Sequence, residues 1–313
     1  TTFAAEIEAK PIKSEEEVFQ AARSIAAQGD FAGICTFVDY LLPVAGRIND
    51  DFGSPGISER SARVSIDKLS QRAAFHDAGL PNPAYAEINS LEQLVDFFHR
   101  VASPVVVKPR SLAGSVGISC GRTLEDLRYC YEYACLEARG ASVIAEAFLD
   151  GPEYGVDVAV IRDQAICVAI SGKDFYDSRF FIRRSHWFPA GVQPELERQL
   201  ADIATRAARA LDIHDAIVHV QIRVTKTGPF IIEVNSRVNG GFNADLLWHA
   251  AGVNLYEAQI DLLKRRRPRL SLLYKGGTAL REVLLPVGKV KEFSLIKGLP
   301  SAGRPIICQQ SVK

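Results

Sequence analysis

The stretch that decides the fold is Ala216-Ile-Val-His-Val-Gln-Ile-Arg-Val-Thr225, then Lys226-Thr-Gly-Pro229, then Phe230-Ile-Ile-Glu-Val-Asn-Ser-Arg-Val-Asn-Gly-Gly241. Two β-branched runs flank a turn-forming cluster, which predicts a β-hairpin. Val218, Val220, Ile222 and Val224 alternate with His219, Gln221 and Arg223, and Ile232 and Val234 alternate with Glu233 and Asn235. Period two puts each set on its own face. A turn centred near Thr227 sets Gln221 opposite Glu233 and His219 opposite Asn235, at the roughly 4.5–5.5 Å Cβ separation of paired residues. One face then gathers two amides, a carboxylate and an imidazole, with Arg237 beyond the strand's end. Oxygens of this kind suit a hard divalent cation such as Mg²⁺; a hairpin with a merely polar outer face reads the same way.

At 313 residues the chain has room for two or three domains. Its 37 basic and 37 acidic residues cancel, so nothing at whole-chain level points to nucleic acid or an anionic membrane. No run approaches the roughly 18 apolar residues of a membrane span, and no signal-peptide pattern opens the chain, so a cytoplasmic location is expected. The six cysteines, at 35, 120, 130, 135, 167 and 308, form no Cys-x-x-Cys and read as reduced, buried thiols. There is no methionine. Residues are therefore expected to be absent from the sequence, separations along it are treated as approximate, and a start and first strand are expected ahead of the opening residues.

Ser14 to Ala27 reads as a helix, with Ser14 as N-cap and Glu17 three residues on. Gly33 to Val38 looks like a buried strand and Tyr40 to Ile48 like a helix, an alternation that implies a parallel α/β unit. A helix beginning at Ser65 carries Lys68 and Arg72 and ends near Gly79. Pro104 to Gly121 is an apolar strand ending in Lys108, then a loop with Ser111, Gly114, Ser115 and Gly117, then a short strand. Glycines let backbone N–H groups converge on a phosphate, serines add donors, and Lys108 adds a charge. The loop is neither Gly-Lys-Ser/Thr nor Gly-x-Gly-x-x-Gly, and a plain hairpin remains open.

Thr123 to Arg139 is a helix with Thr123 as N-cap. The strand that follows runs into Glu146-Ala-Phe-Leu-Asp-Gly-Pro-Glu153, where an exposed backbone edge between two carboxylates could take an adenine, with Glu146 near its exocyclic amine and Glu153 on ribose hydroxyls; two surface glutamates are the alternative. Residues 171–193 read as an aromatic, basic loop of the kind that packs over a site, and Lys173, Arg179, Arg183 and Arg184 favour an anionic group. Pro194 to Leu211 is an amphipathic helix, and helices follow from about Ala244 to Ala251 and on to Leu263. Lys264-Arg-Arg-Arg-Pro-Arg269 reads as a solvated, dipole-favoured helix end. Short strands and Gly/Pro turns close the chain.

In the order Asp67-Lys68 with Arg72, Lys108-Pro with its Gly/Ser loop, Glu146-x-Phe-Leu-x-Gly-x-Glu153, and Glu233-Val-Asn235-Ser-Arg237, residues 35–300 resemble the ATP-grasp superfamily of carboxylate ligases. Gly33-Ile-Cys-Thr-Phe, Gly53-Ser-Pro-Gly-Ile-Ser and His186-Trp-Phe-Pro-Ala resemble the L-amino acid ligase and dipeptide synthetase group. The resemblance implies an α+β fold of two subdomains gripping ATP. A partial, Rossmann-like pre-ATP-grasp domain and linker helix would occupy residues 1–100, a lid 101–147, and a C-terminal subdomain with the metal site 148–313. It implies Lys68 and Lys108 on the phosphates, a lid at 111–117 that includes Ser111, Ser115 and Gly117, adenine on the backbones of Ala147 and Leu149, Glu153 on ribose, and Mg²⁺ or Mn²⁺ on Gln221, Glu233 and Asn235. Gln221 stands where Glu or Asp is common, so one negative charge is missing from the metal set. The implied reaction joins a small-molecule carboxylate, an amino acid, to an amine through an acyl phosphate. Arg237 would steady the transferring phosphoryl and the oxyanion, and His219 would be near substrate or in a structural hydrogen bond. A nucleotide-binding module without catalysis and a carboxylase of the biotin-carboxylase type are the alternatives; whether the chain forms a homodimer is open.

Overall fold

Apolar residues at helical and strand spacing sort the chain into two antiparallel sheets, each backed by helices. The computed structural model describes residues 14–29 and 31–284; residues 1–13 and 285–313, with the expected opening stretch, Cys308 and most of the closing strands, lie outside them. The elements are α1 (Glu15–Ala26), α2 (Leu42–Phe52), α3 (Glu59–Ile66), α4 (Lys68–Asp77), β1 (Tyr85–Ile88), α5 (Leu91–Val101), β2 (Val105–Pro109), β3 (Ser119–Gly121), α6 (Leu124–Ala138), β4 (Val143–Ala147), β5 (Glu153–Ile161), β6 (Gln164–Phe175), β7 (Arg183–Phe188), α7 (Pro194–Ala210), β8 (Ala216–Thr225), β9 (Gly228–Asn235), α8 (Asn243–Ala251), α9 (Leu255–Leu263) and β10 (Thr278–Arg281). The described residues through Glu282 belong to one compact unit.

The small sheet has the order β1-β4-β2-β3 and the large one β10-β7-β6-β5-β8-β9. Helices α5 and α6 bury Leu94, Phe97, Leu127, Cys130 and Ala134 against Val105, Val107, Val143 and Ala145 of the small sheet. On the large sheet, Leu200, Ala204 and Ala207 of α7 pack on Val156, Val158, Val218, Val220 and Ile222. The opposite face is covered at one end only, where Leu247, Ala250, Ala258 and Leu262 of α8 and α9 pack on Ala159 and Ile217. Further along β5 and β8 that face turns polar, through Asp157, Glu153, His219, Gln221 and Arg223. The helix cover thus decides where a site opens.

Local signals set the ends of these helices. Ser14 accepts from the Glu17 N–H and Thr123 closes a capping box with Asp126, as their spacing predicts. The helix expected from Ser65 is instead two, α3 and α4, because Asp67 adopts extended backbone and its carboxylate accepts from the N–H groups of Leu69 and Ser70. Gln221 does face Glu233 and His219 does face Asn235. The turn, however, pairs Thr225 with Gly228, and a bulge at Ile232 supplies the one-residue shift between Gln221 and Ile222.

Three expectations fail. Residues 33–38 form no strand; Asn49 does a neighbouring strand's work, its Oδ1 accepting from the Ile34 N–H at 2.9 Å and its Nδ2 donating to the Ile34 carbonyl at 3.1 Å and to that of Ile57 at 3.2 Å. The parallel α/β unit is likewise absent from the described residues, where the regular elements between 14 and 77 are all helices and both sheets are antiparallel throughout. Residues 171–193 are a loop only in part: they hold the end of β6 and all of β7, which pair from Gly172 with Trp187 to Phe175 with Arg183 around residues 176–182.

Asn49→Leu puts in a side chain close to asparagine in size and leaves those backbone groups without partners. It is expected to lower stability by about 2–4 kcal/mol, read as a shift of the urea unfolding midpoint.

Candidate active site

The polar face of the large sheet meets the small sheet across one buried carboxylate. Glu146, on β4, receives Arg72 Nε at 2.7 Å on Oε1 and Lys108 Nζ at 2.8 Å on Oε2. Arg72 is 1 % exposed, Lys108 and Glu146 4 %. The remaining Arg72 donors reach the other sheet: Nη1 bonds the Ile231 carbonyl and Asn82 Oδ1 at 3.0 Å, and Nη2 the Ile232 carbonyl. The bulge residue thereby places its carbonyl on the guanidinium. Burial works to raise the Glu146 pKa, and Arg72 and Lys108 outweigh it, holding the carboxyl at about 2. Burial pushes the Lys108 pKa down. One residue along, Gln71 seals the free edge of β9: its Oε1 accepts from the Val234 N–H at 2.9 Å and its Nε2 donates to the Val234 carbonyl at 3.0 Å.

Asp67 and Lys68 set the glycine/serine loop. Arg110 makes a two-pronged pair with Asp67, at 2.7 and 2.6 Å, Lys68 N–H bonds the Arg110 carbonyl, and Lys68 Nζ donates to the Leu112 carbonyl at 2.6 Å and lies 3.2 Å from Glu233 Oε1. Ser111, Gly114 and Ser115 are exposed and Gly117 is buried. Gly117 has φ +74°, and a Cβ there would sit 2.5 Å from Pro109 Cγ, so the loop's closure onto β2 needs glycine.

Residues 101–245 match the family model described as the ATP-grasp domain. Over those residues the chain carries an ATP-grasp domain. It is 25 % identical over 282 residues to carnosine synthase 1 of Homo sapiens, covering 82 % of this chain and 34 % of that protein. It is 30 % identical over 187 residues to a D-alanine--D-alanine ligase of Methylococcus capsulatus, covering 56 % of this chain and 57 % of the ligase. The structure of an L-amino acid ligase from Bacillus licheniformis superposes with a TM-score of 0.69 at 23 % identity, over 82 % of this chain and 61 % of that one. The chain therefore spans between a third and some three-fifths of these proteins.

Within the ATP-grasp fold, Lys68, Lys108, Glu146 and Glu233 lie within electrostatic reach of one another, but the motif side chains are largely engaged. Glu146 stands differently from its expectation beside an exocyclic amine, since both its oxygens are held by cations. Ala147 N–H bonds the Ala84 carbonyl, whereas Leu149 N–H has no partner among the described residues. Glu153 Oε2 accepts from Arg223 Nη2 at 2.7 Å, and its Oε1 is 3.7 Å from Lys173 Nζ. The basic groups of 171–193 are paired too: Arg179 with Asp126, Arg183 with Glu282, Arg184 with Asp174.

His219 has no exposed surface. Its Nδ1 is 2.8 Å from Asp157 Oδ1, and its Nε2 is 3.2 Å from both Lys173 Nζ and Asn239 Nδ2. Two donors on Nε2 assign the proton to Nδ1, and burial with Lys173 nearby lowers the pKa and keeps the ring neutral. Arg237 makes a bidentate pair with Asp39, Nε to Oδ1 at 2.7 Å and Nη2 to Oδ2 at 2.5 Å. Gln221 and Glu233 are direct neighbours. Burial raises and Lys68 and Lys108 more than offset the Glu233 pKa, which is lowered. Among the described residues no three His, Cys, Asp or Glu side chains converge as a metal site, so a cation at this hairpin depends on the amide oxygens of Gln221 and Asn235. Sequence reading left out Gln71, Asp157 and Arg223 as supports of the site, and took Arg72 only as part of a motif and Lys173 only as a cation for an anionic group. Only the charged residues among apolar neighbours at 157 and 223 hint at them.

The Glu146 pKa, lower folded than its ordinary value of 4.5, contributes stability that is complete above pH 4.5 and is lost as pH falls toward 2. Glu146→Gln is expected to lower stability at pH 7 and to flatten the acid limb of stability between pH 5 and pH 2, measured by denaturant unfolding at stepped pH. An acid limb unchanged from wild type would remove the network from that role.

Proposed function

We propose that the chain is the nucleotide-binding and catalytic part of an ATP-dependent ligase that joins a carboxylate, an amino acid first among candidates, to an amine. The γ-phosphoryl group passes to a carboxylate oxygen, giving an acyl phosphate and ADP. The amine nitrogen attacks the acyl carbon, the bond to the phosphate oxygen breaks, and phosphate and a proton leave. The observation that carries this reading is the Glu233 carboxylate of the hairpin held ionised with Lys68 at 3.2 Å, at the mouth of a glycine/serine loop. A site that handles polyphosphate needs cations and a metal-binding carboxylate within reach of one another.

In this reading Lys68 and Lys108 exchange their carboxylate partners for phosphate oxygens, and Ser111, Ser115 and the backbone around Gly117 close over them. The Leu149 N–H and the Ala147 carbonyl take the adenine edge, and Glu153 takes ribose. Gln221, Glu233 and Asn235 offer three hard oxygens and one negative charge, a set that fits Mg²⁺ or Mn²⁺; such an ion, when bound, neutralises polyphosphate charge. Arg237, oriented by Asp39, steadies the phosphoryl group and the oxyanion. His219, buried and neutral, is a positioning residue that holds Lys173 and Asn239. Amide-bond synthesis is favoured by the relatives named carnosine synthase, D-alanine--D-alanine ligase and L-amino acid ligase. Residues 101–147 would be the lid and 148 onward the subdomain that carries the metal.

Phosphate release with ATP and Mg²⁺, screened over amino acids singly and in pairs with bicarbonate as comparison, is expected to respond to an amino acid pair. A response to bicarbonate alone would make the protein a carboxylase. Glu233→Ala is expected to abolish substrate-dependent release, and unchanged turnover would refute the metal assignment. Arg237→Met is expected to lower kcat about 10²–10³-fold with little change in the KM for ATP.

A further inference from the structure

Beside the carboxylate network lies a cavity of about 240 Å³, lined among others by Phe148, Gly151, Glu153, Lys173, Phe181 and Arg223. Arg223 is 7 % exposed. Its Nη2 holds Glu153 at 2.7 Å and its Nη1 donates to the Leu149 carbonyl at 3.3 Å. Its Nε is buried without a hydrogen-bond partner. Three phenyl rings surround the guanidinium, with centroids 5.8 Å (Phe148), 5.5 Å (Phe175) and 5.6 Å (Phe181) from Cζ. Phe148 in turn stands under Arg122, at 5.4 Å.

A buried arginine carries five N–H donors in a rigid fork, and a donor left unpaired in an apolar cage costs free energy unless a ligand takes it. The aromatic surround keeps water off the Arg223–Glu153 pair, which fixes the direction of the Glu153 carboxylate and the plane of the Leu149 peptide at once. Gly151 belongs to the same corner: a Cβ there would sit within contact of the Val224 carbonyl, so the bend from Leu149 to Glu153 runs tight against β8 beside Arg223.

We propose that Arg223 sets the sugar specificity of this cleft, aiming the Glu153 carboxylate at the sugar hydroxyls, with its own Nε–H left for a sugar hydroxyl oxygen. This rests on the cleft's being the ATP site. It makes Arg223 a positioning residue that reads the sugar through Glu153, distinct from the lysines that meet phosphate. Its removal then acts on the ribose contribution to binding and leaves the phosphate contribution in place.

The test is calorimetric binding of ATP and of 2′,3′-dideoxy-ATP to the whole chain, for wild type, Arg223→Lys, Arg223→Gln and Glu153→Gln, each checked for a native melting transition. Wild type is expected to favour ATP over the dideoxy nucleotide by about 10–100-fold, the range for losing hydrogen bonds to a charged group. In Arg223→Gln and Glu153→Gln that preference is expected to collapse to about threefold or less while dideoxy-ATP affinity holds within about threefold. Arg223→Lys keeps the charge and lacks the fork, and is expected to fall between; it carries the test should the glutamine variant fail to fold. Variants that lose affinity for both nucleotides equally, or that keep the wild-type preference, would overturn the proposal while sparing the ATP reading. Wild type that binds neither nucleotide would sink both.

Discussion

Glu146 is the point on which the two sheets meet. A carboxylate 4 % exposed can stay ionised only with cations against it, and here one comes from α4, outside both sheets, and one from the neighbouring strand β2. Arg72 spends its remaining donors on the carbonyls at the bulge of β9, so a single guanidinium spans from the small sheet to the large. Removing one member of such a network strands a buried charge, which costs far more than the net worth of the pairs. The small sheet, α4 and the bulge of β9 are tied together at this cluster.

The same economy recurs where strands would otherwise show bare edges. Gln71 pairs both backbone groups of Val234, and Asn49 both backbone groups of Ile34. A side-chain amide carries the same donor and acceptor as a peptide unit, so it completes an extended segment without a further strand. Two consecutive residues of α4, Gln71 and Arg72, thereby do structural work at the cleft, and Lys68, one turn earlier, reaches Glu233. The helix acts as a bracket on the edge of the sheet that carries the polar face.

That polar face exists because α8 and α9 cover only part of the sheet. Ile217 and Ala159 lie beneath them, and His219, Gln221, Arg223 and their neighbours on β5 continue along the same side. Charges in this region are paired before any ligand enters: Lys68 with Glu233, Lys173 and Arg223 with Glu153, Arg237 with Asp39. In the proposed function a polyanion with its metal ion would enter this region by exchange of partners.

By itself the sequence determined the elements whose signals are local: the capped helices at Ser14 and Thr123, the amphipathic helix from Pro194, the hairpin with Gln221 beside Glu233, and the order of the ATP-grasp motifs. It misjudged residues 33–38 as a strand and the strands at 171–175 and 183–188 as loop, because β-branched and aromatic runs record a wish to be buried and extended, while the partner that satisfies the backbone is chosen elsewhere in the chain. Only the tertiary structure decided that Glu146 is spent on Arg72 and Lys108, that His219 is sealed between Asp157 and Lys173, and that Arg223 sits in a ring of phenyl groups. Each of these depends on residues tens of positions apart arriving at one place, and the exchange of a carboxylate's solvent for a particular cation leaves no periodicity along the chain to read.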